Sequence, residues 1–110
     1  TNTVTLVIPS LPLAPTTLTA TASVVDRRNA KVKLTWNDRS NNETGFTIDR
    51  STDPTFTGRN LVSVLVNANT TTYTTGNLSR NTRYYFRIRA NGAAGSTAWL
   101  NATPFPVTTP

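Results

Sequence analysis

Residues 82–90 read Thr82-Arg83-Tyr84-Tyr85-Phe86-Arg87-Ile88-Arg89-Ala90, and the alternation in this stretch decides the fold. In an extended chain successive side chains point to opposite faces. Tyr84, Phe86, Ile88 and Ala90 therefore share one side, and Tyr85, Arg87 and Arg89 share the other. A helical period of 3.6 would scatter both sets around the axis. The segment is a strand with an apolar face to bury, so it needs a second layer to bury it against.

Working outward, six further segments carry the same period. They are 16–24 with Leu18, Ala20 and Ala22; 31–36 with Val32, Leu34 and Trp36 inward and Lys31, Lys33 and Thr35 outward; 45–51 with Phe46 and Ile48; 60–66 with Val62, Val64 and Val66; 70–74 with Tyr73; and 96–103 with Trp99 near its start. Between them lie a polar turn at 26–29, a polar loop at 37–44, the Asp53-Pro54 turn signal and a Gly/Ala turn at 91–95. Seven short strands at this spacing predict an all-β, seven-stranded antiparallel sandwich of immunoglobulin-like type.

Composition agrees. Thr makes up about a fifth of the 110 residues and Val is common, and β-branched side chains suit a pleated surface. That length fits one domain able to bury a core without staples. There is no Cys and no His. Disulfides, thiol nucleophiles, zinc-thiolate sites and the usual general base near neutral pH are all excluded. The net charge of +6 is spread along the chain, with Arg27-Arg28 the longest basic run. A dispersed positive surface reads as a solubility feature, and no nucleic acid is expected as partner. No run of 18 apolar residues is present, so no membrane insertion is expected.

The flanks differ from the middle. Residues 3–8 alternate as one more short strand, and Pro9, Pro12 and Pro15 then follow within seven residues. Proline lacks a ladder donor and stiffens the chain, so 1–14 reads as an N-terminal strand and Pro-rich linker. Residues 104–110, with Pro104, Pro106 and Pro110, read as a C-terminal linker, leaving 15–103 as the domain. A β-rich unit between stiff connectors, with no signal peptide, is expected of one link cut from a longer chain.

From Pro15 to Thr103 the sequence resembles the fibronectin type III family. The resemblance rests on Pro15-x-x-Leu18-x-Ala20, Val32-x-Leu34-x-Trp36, Leu78-x-x-x-Thr82-x-Tyr84-x-Phe86-x-Ile88-x-Ala90 and Gly95-Ser96. The stretch Trp36-x-Asp38-x-Ser40-x-Asn42-Glu43-Thr44-Gly45-Phe46-x-Ile48-x-Arg50-Ser51 is similar to a subtype found in bacterial and archaeal secreted multidomain proteins. The resemblance implies a prokaryotic, extracellular, non-catalytic spacer or interaction module whose partners are the neighbouring domains of its parent. It also implies that Trp36 anchors the core and that Tyr84, six residues after Leu78, pins a corner through its hydroxyl.

No catalytic, cofactor or metal residues are expected. The five acidic residues, Asp26, Asp38, Glu43, Asp49 and Asp53, offer no evident pair facing across a cleft. Asp38, Asn41, Asn42 and Glu43 share one loop, where such side chains anchor turns; Glu43 is a candidate partner for Arg50. Two ligand candidates remain. Trp99 either stacks on a sugar ring of a polysaccharide or cell-surface glycan, or covers the end of the core. The Tyr85, Arg87 and Arg89 face either binds an anionic surface or forms a cross-strand ladder with Asp49. A carbohydrate-binding accessory module and a filament subunit using residues 3–8 are thus the alternatives to a spacer. The isolated domain is expected to be a monomer.

Overall fold

The computed structural model describes residues 10–110, so the strand expected at 3–8 lies outside the described residues. The period-2 segments become β1 (Thr16–Val24), β2 (Asn29–Asn37), β3 (Glu43–Ser51), β4 (Val62–Asn67), β5 (Thr72–Thr74) and β7 (Arg83–Gly92). Four two-residue strands complete the set: β6 (Leu78–Ser79), β8 (Gly95–Ser96), β9 (Leu100–Asn101) and β10 (Val107–Thr108).

All named strand pairs are antiparallel, in two sheets. One runs β1-β2-β5 with β6 also on β2, and the other runs β10-β7-β3-β4 with β8 and β9 also on β7. β8, β9 and β10 meet the same strand one after another, at Gly92, Ile88 and Tyr84, and together fill a single strand position. The architecture is therefore the all-β sandwich read from the alternation.

The core lies between the sheets. Ala30, Val32, Leu34 and Trp36 project from β2, Leu18 and Ala20 from β1, Phe46 and Ile48 from β3, and Tyr84, Phe86, Ile88 and Ala90 from β7, all buried. Trp36 packs edge-on against Phe46 with ring centroids 5.6 Å apart. At the corner before β7, the Ser79 N–H donates to the Tyr84 hydroxyl at 3.0 Å, and Leu78 is buried beneath it. At the other end of β3, the register shifts between Glu43 and Gly45. A Cβ on Gly45 would lie 2.6 Å from the Val66 carbonyl oxygen, so only glycine admits this close approach of two backbones.

Two expectations are corrected. The last strand, expected unbroken over 96–103, is interrupted: the Thr97 hydroxyl accepts from the Ala90 N–H at 3.1 Å, a side chain taking a ladder position, and the chain departs from β7 until Leu100. Residues 104–110 are not a free linker. Pro104 and Pro106 carry no donor and interrupt the ladder, but β10 then rejoins β7 and buries Val107 and Thr109. Both sides of β3 are covered: Thr47, Asp49 and Ser51 are buried as well as Phe46 and Ile48.

Candidate functional site

What buries the outer side of β3 is the set of residues that carried the ligand candidates. Register places Thr47 opposite Arg89, Asp49 opposite Arg87 and Ser51 opposite Tyr85. Arg87 Nε and Nη2 lie 2.9 Å and 2.8 Å from Asp49 Oδ2, and the Ser63 hydroxyl donates to Asp49 Oδ1 at 2.6 Å. Asn91 Nδ2 donates to the Thr47 hydroxyl at 2.7 Å. The Ser51 hydroxyl accepts from the Asp53 N–H at 3.0 Å, so each buried polar side chain on the outer side of β3 has a partner, as burial requires.

Aromatic rings cover the ion pair. The interruption of the last strand carries Trp99 outward, so its ring centroid sits 4.0 Å from the Arg87 guanidinium carbon and 4.3 Å from that of Arg89. Arg87 also lies 4.2 Å from the Phe56 centroid. Phe56 stacks on Phe105 at 6.1 Å, and Phe105 meets Tyr85 edge-on at 4.8 Å. The result is one continuous stack: Arg89, Trp99, Arg87, Phe56, Phe105, Tyr85. Cation–π and aromatic contacts of this kind contribute about 0.5–2 kcal/mol each when partly desolvated. Arg89 Nε, buried without an oxygen acceptor, has the indole as its compensation.

The sequence reading named four of these six residues, Trp99, Tyr85, Arg87 and Arg89, but as two separate candidates; the structure joins them. It missed Phe56 and Phe105. The available signal for Phe56 was Asp53 three residues earlier: the Asp53 carboxylate accepts from Thr55 and Thr57, and its carbonyl accepts from the Phe56 N–H at 3.1 Å. That turn holds Phe56 at φ +56°, a conformation costing a bulky residue about 1–3 kcal/mol, with the ring buried in return. Phe105 is flagged only by the prolines on either side.

The 37–44 loop forms a turn, with the Ser40 N–H donating to Asp38 Oδ1 at 3.0 Å. Glu43 does not pair with Arg50. Its Oε1 accepts from the Asn69 N–H at 3.1 Å, while Oε2 is buried without an N–H or hydroxyl donor. Its other neighbour is the Asp38 carboxyl, and two carboxylates can bond only when one keeps a proton. Burial, and then the Glu43 carboxylate, push the Asp38 pKa above its ordinary value. Burial also works to raise Glu43, but the Asp38 hydrogen bond and the backbone N–H groups outweigh it and leave Glu43 below the ordinary value. Asp38 is therefore the member that takes a proton first as pH falls. Among the described residues no three His, Cys, Asp or Glu side chains converge as metal ligands.

With this geometry established, the comparisons with known proteins agree. The fibronectin type III domain model matches residues 13–105, and the chain belongs to that family. Among solved structures, the fibronectin type III domain of human collagen alpha-1(XX) has TM-score 0.72 at 18% identity, covering 94% of this chain and 90% of that one. A Fn3-like protein from Clostridium thermocellum has TM-score 0.60 at 28% identity, covering 92% and 96%. No curated protein sequence matches. Domains of this family are typically non-catalytic modules of larger, commonly extracellular proteins. No helix among the described residues is long and apolar enough to cross a membrane.

Proposed function

We propose that this chain is a rigid in-line spacer that fixes the separation and orientation of its neighbours in a larger secreted protein. The observation that carries the reading is the way both connecting segments are tied to opposite ends of β7. On the entry side Pro12 is buried against Gly92, where an added Cβ would meet Pro12 Cδ at 2.9 Å, and Asn42 Nδ2 donates to the Ser10 carbonyl at 3.0 Å. On the exit side the Thr109 hydroxyl donates to the Ser79 carbonyl at 2.7 Å and accepts from the Thr82 N–H at 3.0 Å, while Asn81 N–H and Arg80 Nε reach the Pro110 carbonyl. β7 has ten residues, so the two ties are about 30 Å apart along one strand. A module gripping its incoming and outgoing chain at opposite poles transmits orientation instead of swivelling.

The aromatic stack supports the same reading over the glycan-platform alternative. Trp99 has guanidinium groups at 4.0 Å and 4.3 Å, and Arg87 already neutralises Asp49. These groups cover β3 and are occupied in doing so. The subtype signature at 36–51, together with the Clostridium thermocellum neighbour, favours a bacterial extracellular parent.

The test uses a single polypeptide of two consecutive copies, spin-labelled through one introduced Cys per copy at Thr72; the chain has no native Cys to interfere. A narrow inter-label distance distribution that broadens on Thr109→Val is the expected result. A distribution as broad as a flexible coil of the same linker length in the unsubstituted protein overturns the spacer reading.

A further inference from the structure

A groove of about 410 Å³ opens at the edge of the sandwich between β3, β4 and the corner before β7. Small-ligand sites run about 300–1,000 Å³, so it has room for one sugar-sized group. Its composition is unusual. Arg50 continues the inward series Phe46, Ile48 on β3, opposite Phe86 on one side and Val62 on the other, yet carries a charge. It is only partly exposed, and a half-buried cation normally has a counter-ion. Among the described residues the sole ion pair is Arg87–Asp49, so Arg50 has none. Arg59 lines the same groove, also unpaired. The acidic residue of that loop, Asp53, spends its carboxylate on Thr55 and Thr57.

The walls extend the pattern. The Tyr84 hydroxyl oxygen accepts from Ser79 N–H, which leaves its own proton to donate. Asn60 Nδ2 donates to the Thr52 hydroxyl at 3.2 Å, which leaves Asn60 Oδ1 as an acceptor and the Thr52 proton as a donor. Two unpaired guanidiniums beside a mixed set of hydroxyl and amide groups match a ligand with one carboxylate and several hydroxyls. A bare sulfate has no proton for the Asn60 acceptor. An acidic peptide would want apolar contact for its side-chain stems, and Val62 is the lone aliphatic side chain lining the groove.

We propose that this groove binds one uronic-acid residue of an acidic polysaccharide, with Arg50 and Arg59 clasping the carboxylate. The site is separate from the aromatic stack and from the entry segment, and it shares Ser79 and Thr82 with the exit tie; a spacer carrying it would also tether its parent to such a polymer.

The test is calorimetric and NMR titration of the full chain with trigalacturonate, in parallel with neutral trigalactose, sodium sulfate and a glutamate hexapeptide. The expected result is binding by trigalacturonate alone, with amide shifts centred on residues 50–52, 59–62 and 79–84. Arg50→Gln and Arg59→Gln should each weaken it about tenfold. The exposed pair Arg27→Gln/Arg28→Gln, with a larger charge change, should leave it within about twofold. Circular dichroism and the melting temperature of each variant separate lost binding from lost fold, and Arg59, fully at the surface, can be replaced without touching the core. Absence of binding at millimolar ligand, equal loss in the Arg27/Arg28 control, equal binding of the neutral sugar, of sulfate or of the peptide, or shifts centred on Trp99 would each overturn the proposal.

Discussion

Asp49→Asn tests the account of the covered sheet face most directly. Asp49 is 3% exposed and takes two N–H groups of Arg87 and the Ser63 hydroxyl. The substitution keeps the shape and removes the charge. Removing one partner of a buried ion pair costs about 3–5 kcal/mol, because the other charge stays behind. The Arg87 side chain keeps 22% exposure and has two aromatic rings at 4.0 Å and 4.2 Å, so part of that penalty is absorbed. The expected loss is about 2–3 kcal/mol. Unfolding entropy of about 2.1 cal/mol/K per residue gives roughly 0.23 kcal/mol/K for a chain of 110 residues, so Tm should fall by about 9–13 °C. Thermal and urea denaturation measure it. A double-mutant cycle with Arg87→Met isolates the pair, and a coupling of about 1.5 kcal/mol or more is expected. A coupling under about 0.5 kcal/mol, or a Tm change under about 3 °C, would show that the rings alone hold this face and that the ion pair is incidental.

Tyr84→Phe removes the acceptor of the Ser79 N–H and should cost about 1–2 kcal/mol, read as a lower urea midpoint with unchanged slope; no change would remove the corner from the list of stabilising contacts. Gly45→Ala drives a Cβ into the Val66 carbonyl and should cost about 2 kcal/mol or more, with amide shifts confined to β3 and β4. Asp38→Asn should raise Tm at pH 7: the folded pKa of Asp38 is raised above its unfolded value, so its charge destabilises the fold above that range, and the advantage should vanish as pH falls below about 4. The opposite sign applies to Asp53, whose pKa is lowered by the Thr55 hydroxyl and N–H; Asp53→Asn should cost stability at neutral pH and progressively less as pH drops below about 4, checked by the same denaturation series.

The strands that were legible are those whose own side chains settle their two faces. Residues 82–90 and 31–36 alternate so regularly that any partner sheet would orient them the same way, and Trp36 and Tyr84 occupy the interior accordingly. The last strand was less legible because a hydroxyl, Thr97, replaces a backbone group in the ladder and two prolines remove donors, none of which alters the apolar pattern. The stack was half legible. Tyr85, Arg87 and Arg89 fall together by period, but Phe56 and Phe105 reach Arg87 and Tyr85 from turns far away in sequence, and a lone aromatic in a turn does not announce what it covers. The Arg50 groove was not read at all: an arginine at the end of an inward series passes for an outward one until the register fixes its direction.

The tie at Thr109 has a consequence for synthesis. A ribosome delivers the chain from its N-terminus, and within this module β10, which seals the second side of β7 at Arg83 and Tyr84, emerges after every other strand named above. Until Val107 docks, Arg83 and Tyr84 present bare amide and carbonyl groups to any extended segment nearby, including an identical nascent module on an adjacent ribosome. In a parent built of repeated units, translation speed just beyond this point would decide how long that vulnerable interval lasts.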